Sequence, residues 1–163
     1  MRTVRFNLID RLVLTPVEVV HTFMPFVLIA SVLYLLGGWF NVWWALSAWL
    51  AASVLFLVCL PWIPTRAFST KGLILGALVA LPFTAYQILS GGQSTAHILM
   101  RVIPIGLITT ALISYFALNL TGTTPITSWT SVQREIKKYI PVLAMMAGVG
   151  ITLEILFVFG LGT

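Results

Sequence analysis

Charge is scarce in this sequence, and negative charge most of all: four Asp and Glu stand among 163 residues, against nine Lys and Arg. No paired-carboxylate or nucleophile–base–acid arrangement is present, which argues against hydrolytic chemistry within the chain. Cysteine occurs once. Cys59 closes an apolar run, can form no intrachain disulfide and has no Cys or His neighbour at metal-ligand spacing, so it reads as a buried structural thiol rather than a zinc or iron–sulfur ligand. Histidine occurs twice, at His21 and His97. The two fall near opposite ends of apolar runs, most of a roughly 30 Å hydrocarbon core apart, which excludes a shared bis-histidine haem; His97 with a non-histidine partner stays open. Gly122, in Thr-Gly-Thr-Thr, lacks the Gly-Lys element of a phosphate-binding loop.

What is abundant is apolar surface. Hydrophobic residues make up 60% of the chain and charged residues 8%, with mean hydropathy +1.06. A chain of this size cannot enclose so much apolar surface in one water-soluble core. The basic residues are dispersed among short loops rather than massed on one face, which points away from nucleic acid and toward membrane topology.

The apolar runs predict an all-α, polytopic transmembrane bundle of five spans, at about 19–36, 42–60, 72–89, 97–118 and 141–159, each near the roughly 20 residues that cross a bilayer. Residues 1–18 read as a cytoplasmic or interfacial lead-in and 19–163 as the transmembrane domain. The lead-in carries arginines like a signal peptide, but the following run is long and lacks a small-residue cleavage site, so it reads as a retained first span. Gly37 and Gly38 close that span, and Trp39, Trp43 and Trp44 enter the second as interfacial anchors. In PWIPTRAFSTKG, Pro61 and Pro64 terminate the second helix; Gly72 and Gly76 then stand at GxxxG spacing, which permits close helix approach.

Residues 119–138, NLTGTTPITSWTSVQREIKK, form a polar, basic insert between two apolar runs. Thr121 to Thr130 is expected to be turn. Thr130 and Gln133 have capping-box spacing ahead of a short interfacial helix, with Val132, Ile136 and Ile140 on one face and Arg134, Lys137 and Lys138 on the other, ending where Pro141 opens the last span. With five spans, Arg2, Arg5, Arg11, Arg66, Lys71, Arg134, Lys137 and Lys138 share one side, and only Arg101 lies near the other. The positive-inside rule therefore puts the N-terminus and the insert in the cytoplasm of a cell (inner) membrane and Thr163 outside. The glycosylation triplet at Asn119 is discounted on the same ground.

Glu154 is an acid inside a span, costly in lipid unless partnered, and Arg101 is its natural counterion. Helical rise places both in the outer half of the bilayer with Gln87 and His97 near the same level. The cluster reads chiefly as a structural ion pair between the fourth and fifth spans. A proton or ion relay would need polar groups continuing inward, and only Thr109, Thr110 and Ser114 extend it.

The insert, followed by Tyr139, Ile140 and Pro141, resembles the Asn-Phe-Thr-Gly, Thr-Ser, Val and basic-Glu pattern in the membrane region of HgcA, the corrinoid methyltransferase family of microbial mercury methylation. MRTVRFNLIDRLVLTPVEVV is similar to the join between that family's corrinoid and membrane domains, and PWIPTRAFSTKG to its loop between the second and third spans. The cap-helix motif is not matched. Asn41, Val42, Trp43 and Trp44 begin like it but lack its cysteine, so no corrinoid ligand is assigned to any residue here, nor any catalytic or metal-binding one.

The resemblance implies a membrane anchor and docking module, not catalytic by itself, for a cytoplasmic corrinoid methyl-transfer system. Its expected partners are the bilayer, a corrinoid domain or subunit, and a ferredoxin-like iron–sulfur protein, with the corrinoid held by the missing domain or partner. The expected docking surface comprises Thr121, Gly122, Thr124, Ser128, Trp129, Arg134, Lys137 and Lys138, with Arg66 and Lys71. The alternatives are an accessory transmembrane subunit of another redox or energy-transducing complex and, with less in its favour, a small transporter using Glu154 and Arg101.

Overall fold

A computed structural model describes residues 8–60, 62, 63, 65, 67–90, 95–123 and 129–160. These form helices α1 (Leu8–Leu50), α2 (Phe56–Cys59), α3 (Phe68–Leu89), α4 (Thr95–Thr123) and α5 (Trp129–Val158), with a π-helical turn, Ala51–Leu55, joining α1 to α2. Four stretches, Gly38–Cys59, Phe68–Leu89, Ile98–Asn119 and Gln133–Val158, are long and apolar enough to cross a membrane. The chain is accordingly an all-helical membrane protein. Thr22–Leu35 is apolar but shorter.

α1 is not one straight rod. The Trp49 indole N–H donates to Thr22 Oγ1 at 2.9 Å, and the Trp49 ring stacks on Phe26 with centroids 4.7 Å apart. On a straight helix rising about 1.5 Å per residue, Phe26 and Trp49 would be more than about 30 Å apart. The chain doubles back at Gly38, whose φ of +69° lies in the left-handed region that glycine enters without a Cβ penalty. The two arms of α1 are therefore antiparallel neighbours, and the second continues through the π-helical turn, where Ala51, Ala52 and Ser53 are buried.

α4 is the central helix. It is antiparallel to α3 and α5, while the second arm of α1 runs parallel to it. Against α3, closeness comes from small residues: a Cβ on Gly72 would lie 2.5 Å from Ser114 Cα, and one on Gly76 2.6 Å from Thr110 Cα. The GxxxG spacing is thus occupied by a helix–helix contact at backbone distance. Against α5, a Cβ on Gly150 would instead meet a side chain, Ile108 Cγ1, at 2.7 Å. Phe56, Leu57, Leu75, Ile113 and Ala117 pack as one buried cluster, with Trp44, Ala80, Ile105 and Ile108 as a second and Ala111, Leu118 and Leu143 as a third.

Three local expectations differ from the structure. α4 continues to Thr123, through the first residues of the expected turn. α5 runs unbroken from Trp129 through Pro141 to Val158, so no separate short helix precedes the last span. Pro141 deprives the Lys137 carbonyl of its usual partner. Lys137 and Pro141 are both exposed, which places that break on the outer side of the helix and lets it continue. The buried face is also rotated from the expected one: Ile136, Tyr139 and Leu143 pack inward, whereas Ile140 is 41% exposed.

Candidate functional site

Two polar sites stand at opposite ends of the bundle. At the end holding Gly38, Arg101 Nη1 of α4 lies 2.6 Å from Glu154 Oε1 of α5. Asn41, from the second arm of α1, completes the set: its Nδ2 donates to Glu154 Oε1 at 3.3 Å, and its Oδ1 accepts from Arg101 Nη1 at 3.5 Å. Asn41 and Glu154 are almost fully buried. Aromatic faces enclose the cation, with the guanidinium carbon 4.5 Å from the Phe157 ring centroid and 5.8 Å from that of Phe40. Such a site strengthens the charge pair by excluding water, and it would be costly if one partner were removed. Glu154 Oε2 is buried and has no hydrogen-bond partner among the described residues.

The hydrogen bonds of this cluster do not include Gln87. Equal depth brings two residues to one level of the bilayer, but their angle around α4 decides whether they meet. α3 approaches α4 along Thr110 and Ser114, and α5 along Ile108. His97 belongs to the helical backbone of α4, and its side chain, like that of His21, lies outside the described set.

The hydroxyls that would extend a relay are engaged elsewhere. Thr109 Oγ1 accepts from the Trp44 indole at 2.6 Å and donates to the Ile105 carbonyl at 2.6 Å. Thr110 donates to the Gly106 carbonyl at 2.6 Å, and Ser114 to the Ser69 carbonyl at 2.8 Å. These bonds fasten helix to helix or hydroxyl to backbone rather than forming a chain from Arg101 inward.

The opposite end is fastened by a second carboxylate. Glu135 Oε1 accepts the Ser69 N–H at 2.7 Å and the Ser69 hydroxyl at 2.8 Å. Ser69 lies in the first turn of α3, where backbone N–H groups lack helical partners and the helix dipole favours an anion. Glu135 therefore caps α3 from another helix, and Ser114 ties α4 to the same residue. Lys71 Nζ donates to the Leu60 carbonyl at 2.7 Å, which fixes the end of α2 against the start of α3.

Around this fastened end, Arg134, Lys137 and Lys138 are exposed while Lys71 is half-buried. Of the other residues expected to form a docking surface, Arg66, Thr124 and Ser128 lie outside the described residues. Thr121, Gly122 and Trp129 are helical in backbone, with side chains outside the described set. Asn41 and Glu135 are the members that sequence reasoning missed. Asn41 follows Gly38 by three positions and so shares its end of the bundle with Arg101; Glu135 has no comparable local signal.

A cavity of about 410 Å³ opens between the two arms of α1 and the faces of α4 and α5, lined by Phe26, Val32, Trp44, Trp49, Ile108 and Ile151 among others. Its walls are apolar. No protein-family model, curated protein or solved structure matches the chain.

Proposed function

We propose that this chain is the five-span membrane module of an HgcA-like corrinoid methyl-transfer system, anchoring and docking a cytoplasmic corrinoid domain or subunit without supplying catalytic groups itself. The first span is the Thr22–Leu35 arm together with its flanks. The N-terminus and the insert then lie in the cytoplasm of the cell membrane, and the C-terminus outside, as the distribution of basic residues requires.

The observation that supports docking is the construction of the insert end. Glu135, Ser69, Ser114 and Lys71 join the starts of α3 and α5, the late turns of α4 and the end of α2 through hydrogen bonds of 2.7 to 2.8 Å. A platform fixed this way holds the helix ends in constant relation, and a soluble partner can bind it with little ordering cost. The corrinoid and ferredoxin-like partners come from the insert motif. The test is photo-crosslinking from Gln133, exposed on α5, in native membranes. Capture of a protein with a corrinoid absorption spectrum is expected; a purified complex carrying haem, quinone or pigment subunits and no corrinoid would instead identify an accessory subunit of another redox complex.

A further inference from the structure

Arg134, Lys137 and Lys138 stand at the start of α5, and the direction they face is set by their neighbours on the helix. The inward side carries Ile136, Tyr139 and Leu143, packed on Ala111 and Leu118 of α4, together with Glu135, bound to Ser69. The outward side continues from Arg134 at steps of three and four through Lys138 and Val142 to Met145 and Val149. Val142 is 42%, Met145 64% and Val149 52% exposed. One stripe of α5 thus changes from cationic to apolar along its length without changing face. Its apolar part is the side that contacts hydrocarbon.

The change falls at the depth where a bilayer changes. The apolar stretch Gln133–Val158 has 26 residues, which at about 1.5 Å each span about 39 Å, more than the roughly 30 Å of a hydrocarbon core. Measured back from Val158, about 30 Å of helix reaches Lys138. Arg134 lies one turn beyond, about 6 Å further out, within the roughly 5–7 Å headgroup layer on each side. The only acid in these turns, Glu135, points to α3 and does not neutralise the outward side.

We infer that Arg134, Lys137 and Lys138 form a binding site for the phosphate of anionic phospholipid headgroups at the insert end of the bundle. Charge complementarity selects this occupant, and position separates it from an acidic soluble protein: the cations stand directly above lipid-facing side chains, not above the bundle axis. The inference rests on the bilayer placement of α5 and not on the docking of a corrinoid protein. It leaves the rest of this end of the bundle to a soluble partner.

The test uses the purified full chain in nanodiscs of phosphatidylcholine alone or mixed equally with phosphatidylglycerol, with native mass spectrometry of the lipids that remain bound. Preferential retention of phosphatidylglycerol is expected. It should fall about fivefold for each of Arg134→Gln, Lys137→Gln and Lys138→Gln, corresponding to about 1 kcal/mol per basic side chain near a charged surface, and vanish in the triple variant, whose folding is checked in phosphatidylcholine. Amine acetylation of Lys137 and Lys138 should also slow in the mixed nanodiscs. Equal retention of both lipids, or a triple variant that keeps the preference, would overturn the inference. So would acetylation slowed in native membranes but not in mixed nanodiscs, which would give this side of α5 to an acidic protein.

Discussion

One oxygen of Glu135, on α5, accepts both the backbone N–H and the hydroxyl of Ser69, at 2.7 and 2.8 Å, in the first turn of α3. Ser69 is fully buried, so removing the carboxylate strands a buried donor at a helix start. Glu135→Ala is predicted to destabilise the folded bundle by about 2 kcal/mol, the sum expected for a lost cap and a lost charge-assisted hydrogen bond. Reversible unfolding in mixed micelles measures it. Glu135→Gln, which keeps an acceptor oxygen, should lose less, and an alanine variant as stable as the parent would show that the cap contributes nothing.

The Arg101–Glu154 pair makes a sharper prediction, because Glu154 is buried and the half-buried Arg101 lies against Phe157. Arg101→Met leaves the carboxylate of Glu154 with only Asn41 as a donor among the described residues, and a loss of about 3–5 kcal/mol is expected. Pairing it with Glu154→Leu removes the stranded charge and should restore most of that loss. Unfolding of the two single variants and the double variant in the same micelles gives the coupling directly. Strict additivity would mean that the two side chains do not stabilise one another.

Glycine substitutions along the helices should separate close contact from open surface. At Gly72 and Gly76 the clashing atoms are backbone, which cannot swing aside, so Gly72→Ala and Gly76→Ala must push α3 away from α4. Each is expected to cost about 1–3 kcal/mol. Gly106→Ala and Gly148→Ala meet nothing within 4 Å and should be neutral or slightly stabilising, since alanine is the better helix former. Equal effects at all four positions would contradict the α3–α4 packing.

Local patterning and helix packing divide the features of this bundle between them. The apolar runs, their capping glycines and the levels of Arg101 and Glu154 follow from composition and helical rise, which are local quantities legible in the sequence. Gln87 shows the limit: residue counting gives its depth, but its angle around α4 depends on how α3 packs. Asn41 reads as an edge residue until the turn at Gly38 brings it beside Arg101. Glu135 carries no local signal of its role, because its partner Ser69 belongs to another helix. Pro141 reads as a helix start, yet the helix passes through it where the freed carbonyl is on the exposed side.

Orientation remains the property on which the docking proposal depends, and it can be measured independently of any partner. In a Cys59→Ser background, Ser90→Cys sits at the Gly38 end of the bundle and Gln133→Cys at the insert end; both positions are exposed. A membrane-impermeant thiol reagent applied to intact cells or right-side-out vesicles should modify the cysteine at 90 and spare that at 133. Inverted vesicles should give the opposite pattern under the proposed orientation, in which the basic residues of the insert end face the cytoplasm. Modification of both positions from one side would remove the crossing of α3 and α5, which run in the same direction, through the bilayer. A reversed pattern would keep the crossing but place the insert outside, where no cytoplasmic corrinoid protein could reach it.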